Sequence, residues 1–124
     1  MLTIGTVFTK NLLPKLQKWG MNEIDKLTEE IRDFATRRGW ERFHTPKNLA
    51  MALTGEVGEL AAEFQWLSTE GSKDMSLLDN VNIELEIADV AIYLLRLCDV
   101  LSIDLSEAIR EKIAINKNRF PEST

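Results

Sequence analysis

The chain has 124 residues, of which 44% are hydrophobic and 28% are charged, and its formal net charge is −5. This length and composition are those of one soluble globular domain with a buried core, and no segment reaches membrane-spanning length. The negative charge argues against a nucleic-acid polymer as partner, although an acidic protein can act on a phosphorylated small molecule when metal ions neutralise the phosphates.

The first elements of the chain are an ambiguous segment and a clear helix. Residues 1–20 are predicted to form an N-terminal arm or a short helix. A helix is then predicted from the N-cap Asn22 to Arg38, because apolar residues recur at helical spacing and Gly39 is a stop signal. Its apolar stripe consists of Ile24, Leu27, Ile31 and Phe34.

A second helix follows a loop over residues 40–44. Thr45 and Pro46 combine an N-cap with a proline at the first helical position. Apolar residues at mixed spacings of three and four then predict a helix as far as about Ser68. A polar loop containing Gly71 separates it from the next element.

The third predicted helix, from about Leu77 to Leu101, is apolar around nearly its whole circumference. Such a helix is buried on all sides, either centrally or at a subunit interface. The last helix is predicted to begin at Asp104 or Ser106 and to end at about Arg119. No segment alternates with a period of two, so the chain is predicted to be an all-α four-helix bundle.

One domain is predicted over 1–124, with a helical core over 21–121 and a tail at 122–124. The N-terminus has too little continuous apolar sequence for a signal peptide. The single cysteine, Cys98, allows no intrachain disulfide, which suits a reducing compartment. The predicted location is therefore the cytoplasm.

Two carboxylate pairs, Glu56 with Glu59 and Glu86 with Asp89, lie in the second and third predicted helices. Spacing of three residues puts each pair on one helix face. On the second helix these carboxylates lie roughly 80° from the centre of the apolar stripe, on its edge rather than opposite it. If the two helices are antiparallel neighbours, their acidic edges face each other across a cleft.

Such facing carboxylates predict a site for a hard cation, and Mg²⁺ fits because it takes carboxylate oxygens, waters and phosphate oxygens. The alternative is a solvated helix face with Lys and Arg partners. No cation follows Glu56, Glu59 or Glu86 four residues later, so no intrahelical ion pair compensates them. A di-iron bundle is excluded, since it requires two Glu-x-x-His motifs and the single histidine, His44, lies outside the acidic helices.

Four ordered blocks between about Arg38 and Pro121 resemble the MazG-type nucleoside triphosphate pyrophosphohydrolases, and most closely the small branch that includes the dCTP pyrophosphatases. The blocks are WERFHTPKNL over 40–49, GEVGELAAEFQW over 55–66, EIADVAIYL over 86–94 and INKNRFP over 115–121. One departure is Leu85, since close relatives often carry a second glutamate before the position of Glu86.

The resemblance implies an all-α, Mg²⁺-dependent enzyme that hydrolyses a (deoxy)nucleoside triphosphate, dCTP or a related dNTP, to the monophosphate and pyrophosphate. A metal-activated water would attack the α-phosphorus, and the role would be house-cleaning of the nucleotide pool. The implied Mg²⁺ ligands are Glu56, Glu59, Glu86 and Asp89. Glu63, one turn along the second helix, would join this catalytic cluster or orient a water.

The resemblance also implies the substrate contacts and the assembly. Family members form dimers, and the small branch often forms tetramers. The residues implied for the base pocket are Trp40, His44, Trp66 and Tyr93, and those implied for phosphate or sugar are Lys112, Asn116 and Arg119. A cation near a helix C-terminus is equally favoured by the helix dipole, which is the structural alternative for Arg119.

Two other functions remain open from the sequence. A non-catalytic helical oligomerisation or interaction module would keep the fold without turnover. A related enzyme of the dUTPase or phosphoribosyl-ATP pyrophosphohydrolase type would keep the chemistry and change the substrate.

Overall fold

The computed structural model describes residues 21–123, so the arm predicted over 1–20 lies outside the described residues. No strand occurs in the described part, and the all-α prediction is confirmed. No helix in this part is both long and apolar enough to cross a membrane. The helices are α1 (Glu23–Arg37), α2 (Pro46–Ala62), α3 (Asn80–Val100) and α4 (Leu105–Arg119), with 3₁₀ turns at Glu41–Phe43, Gly71–Lys73 and Met75–Leu77.

Each α-helix begins at a side chain that accepts a hydrogen bond from a backbone N–H three residues on. At α1, Asn22 and Asp25 accept from each other's backbone N–H and form a complete capping box. Thr45, Asp79 and Asp104 cap the other three helices. The caps predicted at Asn22 and Thr45 are confirmed, and Asp104 is the cap of α4. Each cap contributes about 1 kcal/mol.

Helices α1 and α3 end in the same turn, in which a residue with positive φ reverses the chain direction. After α1, Gly39 has a φ of 66°, and the Trp40 N–H donates to the Ala35 carbonyl over 3.0 Å. After α3, Ser102 has a φ of 56°, and the following N–H donates to the Cys98 carbonyl over 2.8 Å. The first of these turns brings the Trp40 ring back towards α1.

We expect Gly39→Ala to lower the free energy of unfolding by about 1 kcal/mol and Ser102→Gly to raise it by about 0.5 kcal/mol. A Cβ at Gly39 meets no atom within 4 Å, so the loss comes from the backbone conformation alone. Urea unfolding of both variants checks this. Changes of the same sign in the two variants would contradict it.

Helix α2 ends at Ala62, six residues before the predicted end at Ser68. The backbone tightens here, because the N–H groups of Glu63 and Phe64 donate to carbonyls three residues back rather than four. The apolar spacing continues through this segment, so the sequence gives no sign of the change. At α3, the Asp79 cap starts the helix at Asn80, three residues after the predicted start at Leu77.

The main contacts are between α2 and α3, and α1 packs on α3 as well. The apolar side chains buried by these contacts are few. They are Ala35, Leu49, Leu95 and Cys98.

Central burial of α3 is wrong for its N-terminal half, which the other described helices leave exposed, whereas burial at a subunit interface stays a prediction. Val81 is 68% exposed and Leu85 is 58% exposed, whereas the buried residues of α3 are Leu95, Arg96 and Cys98. Helix α4 has no buried residue, and its Ile113 is 50% exposed. Within residues 21–123, the other helices therefore leave apolar faces of α3 and α4 exposed.

Candidate active site

Carboxylates from α2 and α3 converge where these two helices pack together. One oxygen each from Glu56, Glu86 and Asp89 lies within 4.8 Å of the others. Oxygens at such separations can all bind one small, hard cation. The structure therefore brings together three of the four residues predicted as metal ligands, and we call these three the acidic cluster.

The other two predicted carboxylates lie beside the acidic cluster. Burial is the main cause that raises the pKa of both Glu56 and Glu86; the charge of Glu59 raises both further, and the charge of Glu63 adds to the effect on Glu86. These electrostatic effects place Glu59 and Glu63 within range of the acidic cluster, although neither belongs to the close group of three. Glu63 lies at the C-cap of α2, where the helix tightens.

The acidic cluster has buried oxygens with unmet hydrogen-bonding capacity. Oε2 of Glu56 and Oε2 of Glu86 are each inaccessible and accept no hydrogen bond from the described part of the chain. Burial raises the pKa of Glu56, and the charges of Glu59 and Asp89 raise it further. Burial likewise raises the pKa of Glu86, with Glu59 adding to the effect. Buried acceptors without partners are rare, and a cation would satisfy both.

No Lys or Arg within residues 21–123 forms an ion pair with Glu56, Glu86 or Asp89. The alternative of a solvated face with basic partners therefore does not describe this cluster. Repulsion among the carboxylates remains without compensation from the described residues. The donor set, made only of carboxylate oxygens, is the kind that Mg²⁺ prefers over softer metals.

Two residues predicted for the base pocket lie together at the end of α1. The ring of Trp40 packs edge-on against Phe34 with centroids 5.6 Å apart, and the His44 ring is tilted against it with centroids 6.3 Å apart. Trp40 is 43% exposed, so its ring remains accessible to a ligand. An accessible aromatic ring beside a polar group can stack a base and contact its edge.

The other two predicted pocket residues lie elsewhere. Trp66 is 88% exposed in the turns after α2, and Tyr93 is half-buried on α3. No ring contact among the described residues joins either of them to Trp40 or His44. The structure thus brings two of the four together in one chain.

Lys112, Asn116 and Arg119 lie on one face of α4, as their spacing requires. Asn116 is half-buried, and the guanidinium of Arg119 lies 5.1 Å from the ring centroid of Phe120. Among residues 21–123, none of the three forms a hydrogen bond or ion pair with the acidic cluster. Their contact with phosphate or sugar stays a prediction.

Sequence reasoning missed an ion-pair network beside the candidate base pocket. Arg96, only 6% exposed, donates from Nε to Nδ1 of His44 over 3.0 Å and from Nη1 to Asp99 over 2.7 Å. Arg32 of α1 also binds Asp99 through two hydrogen bonds. The available signal was an arginine and an aspartate three residues apart inside an otherwise apolar run.

Comparison with known proteins adds independent information. The chain is 42% identical over 99 residues to human dCTP pyrophosphatase 1 and 43% identical over 99 residues to the mouse protein of that name. In both comparisons the match covers 75% of this chain and 58% of the relative, so the chain spans less than two-thirds of the length of these relatives. A dATP/dGTP diphosphohydrolase from cyanophage S-2L is 36% identical over 74 residues, covering 60% of this chain and 56% of that protein.

A solved pyrophosphatase from Archaeoglobus fulgidus has a similar structure, with a TM-score of 0.76 and 39% sequence identity. The match covers 82% of this chain and 95% of that one. No family model matches the chain.

Proposed function

Because the chain belongs to the MazG-like nucleotide pyrophosphohydrolases, we propose that it hydrolyses a nucleoside triphosphate to the monophosphate and pyrophosphate. The observation that carries this proposal is the acidic cluster, with its two buried oxygens that lack a partner. The names of the mammalian relatives favour dCTP or a related dNTP as substrate, and the phage relative's name extends the range to purines. Removal of unwanted deoxynucleotides in the cytoplasm is the proposed role.

Mg²⁺ is the proposed cofactor, held by Glu56, Glu86 and Asp89 with Glu59 as the fourth ligand. The carboxylate-only donor set and the two orphaned oxygens fit such an ion. When bound, Mg²⁺ would supply positive charge against the phosphate oxygens and would lower the pKa of a water molecule.

The remaining chemistry falls to the protein's own groups. Glu63 is proposed to accept a hydrogen bond from the attacking water and to orient it towards the α-phosphorus. Burial and the neighbouring carboxylates raise the pKa of Glu56 and Glu86, and we propose that the proton from this water passes to the acidic cluster as a group rather than to one isolated base.

Trp40 is proposed to stack on the base, with His44 at the edge of the base and with Trp66 and Tyr93 completing the pocket. The accessible ring of Trp40 beside His44 supports this arrangement. For the triphosphate and sugar, the proposed contacts on α4 are Lys112, Asn116 and Arg119.

A nucleotide panel tests the proposed function. With Mg²⁺ present, we expect release of pyrophosphate and at least about tenfold higher kcat/KM for dCTP than for dTTP, dUTP, dATP or dGTP. A preference for dUTP would leave the proposed reaction standing and would contradict the assignment of dCTP as the substrate. No turnover with any nucleotide, together with no heat of Mg²⁺ binding, would instead support the non-catalytic interaction module.

We further propose that the protein is a homo-oligomer, a dimer or a tetramer, that covers the open apolar faces of α3 and α4. Ile109 and Ile113 lie one turn apart on α4 and are 46% and 50% exposed, while Val81 and Leu85 form a similar pair on α3. Contiguous apolar surface of this kind marks interaction sites on soluble proteins.

Ile113→Asp is expected to dissociate the oligomer, because it places a charge in the apolar face of α4. Sedimentation velocity measures the mass. Asn118→Asp, which adds the same charge at an exposed polar position of α4, is the matched control and should leave the mass unchanged. A monomeric wild-type protein, or an unchanged mass for Ile113→Asp, would contradict this proposal.

A further inference from the structure

The single histidine of the chain is bound on one side by a buried arginine. Arg96 projects from α3 and is 6% exposed, and its Nε donates to Nδ1 of His44 over 3.0 Å. His44 follows the 3₁₀ turn at Glu41–Phe43 and is half-buried. Among the described residues, no other hydrogen bond reaches the imidazole ring of His44, so Nε2 is the ring nitrogen left for a ligand.

Arg96 is itself held from a second direction. Its Nη1 donates to Oδ2 of Asp99 over 2.7 Å, and the side chain of Asp99 is only 13% exposed. Arg32 of α1 donates from Nε to Oδ2 over 2.9 Å and from Nη2 to Oδ1 over 2.5 Å, the two-point geometry that fixes a carboxylate. A planar guanidinium between an anchored carboxylate and an imidazole has little freedom to rotate.

The chemistry of this contact dictates which imidazole nitrogen carries a proton. An arginine Nε always bears hydrogen and can only donate, so Nδ1 of His44 must offer its lone pair. A neutral imidazole with a free Nδ1 carries its hydrogen on Nε2. Protonation of Nδ1 would turn two N–H groups of Arg96 and His44 towards each other.

We infer that Arg96 is a positioning residue that holds His44 as the neutral tautomer protonated at Nε2, so that His44 donates a hydrogen bond to an acceptor on the base beside Trp40. For cytosine, that acceptor is the O2 or N3 atom and not the exocyclic amino group. The tautomer follows from the described contacts, whereas the identity of the ligand rests on the proposed function.

The charges around His44 agree with a neutral ring. Burial lowers the pKa of His44, and Arg96 on α3 lowers it further, while Glu41 in the 3₁₀ turn acts in the opposite direction. Arg96 and Glu41, which act in opposite directions, lie on different elements, and the pKa of His44 is lowered overall.

The tautomer is directly measurable, because a chain with one histidine gives one imidazole in a long-range ¹H–¹⁵N spectrum. We expect the wild-type spectrum near pH 8 to show hydrogen on Nε2 only. Arg96→Met removes the donor at similar side-chain length and should give mixed tautomers. Arg96→Gln places an amide nitrogen at the same position along the side chain as the arginine Nε, and should restore the wild-type pattern.

Arg110→Met is the matched control. Arg110 pairs with Glu107 at a spacing of three residues, as Arg96 does with Asp99, but the Arg110 pair is exposed and contacts no histidine. This variant should keep the wild-type spectrum. Hydrogen on Nδ1 in the wild-type protein, or an unchanged tautomer in Arg96→Met, would overturn the inference. If Arg96→Met fails to fold, the wild-type and Arg96→Gln spectra decide it, and mixed tautomers in Arg96→Gln would count against it.

Kinetics test the consequence for the base. Arg96→Met should raise KM for dCTP about tenfold while kcat changes less than about threefold, and Arg96→Gln should return KM to near the wild-type value. In a His44→Ala background, Arg96→Met should add no further change. An unchanged KM in Arg96→Met would overturn the proposed hydrogen bond from His44 to the base, but not the tautomer assignment. Absence of turnover in the wild-type protein would overturn the proposed function, while the spectrum still decides the role of Arg96.

Discussion

Glu86→Gln is expected to reduce the rate of pyrophosphate release by about a thousandfold and, without metal, to raise the melting temperature. The amide keeps the shape of the side chain but removes one charged ligand from the acidic cluster. Because the pKa of Glu86 is raised in the folded protein, its charged form destabilises the fold at pH values above that pKa. Removing the charge therefore stabilises the metal-free protein at neutral pH.

Pyrophosphate release and thermal melts with and without Mg²⁺ measure both effects. Mg²⁺ should raise the melting temperature of the wild-type protein and have little effect on that of Glu86→Gln. Glu84→Gln, an exposed change two residues earlier on α3, is the control and should behave like the wild type. Near wild-type release by Glu86→Gln, or a full Mg²⁺ effect on its melting, would contradict the assignment of the acidic cluster.

Asp99→Asn is expected to lower the free energy of unfolding by about 3 kcal/mol, the second large effect. It leaves Arg96, at 6% exposure, as a buried cation without its compensating charge, and it removes the partner of Arg32 as well. This network connects α1 with α3, so its loss weakens the packing that positions Trp40 and His44.

Glu107→Gln supplies the comparison, because it also removes the acid of a pair with an arginine three residues away. The Glu107 and Arg110 side chains are 53% and 69% exposed, so the loss should be below about 0.5 kcal/mol. Urea unfolding of both variants in the same buffer measures the difference. Equal losses would show that burial of Arg96 does not set the strength of the Asp99 pair.

The local features of the fold could be predicted from sequence because they depend on neighbouring residues. Asn22 and Thr45 cap their helices by bonding to N–H groups three residues on, and Gly39 ends α1 through its own positive φ. The end of α2 could not be predicted, because the apolar spacing runs on to Leu67 while the hydrogen bonds tighten after Ala62.

The candidate site likewise has one part that could be predicted from the sequence and one part that could not. The acidic cluster could be predicted because helical spacing alone puts Glu86 and Asp89 on one face, and the packing of α2 on α3 adds Glu56. The contact between His44 and Arg96 joins residues 52 positions apart, so it depends on how the loop before α2 packs on α3.

The roles predicted for α4 and Trp66 depend on surroundings that the described part of one chain does not supply. Helix α4 has no buried residue, and Trp66 is 88% exposed. If the homo-oligomer forms as proposed, a second copy would supply the surroundings of these residues, and the sequence of one chain does not encode that geometry directly.

Hydrolysis of dCTP in ¹⁸O-labelled water, followed by mass spectrometry of both products, tests the central claim most directly. Attack of water at the α-phosphorus places the label in dCMP and leaves pyrophosphate unlabelled, and this is the result we predict. Label in pyrophosphate, or release of inorganic phosphate and a nucleoside diphosphate, would contradict it.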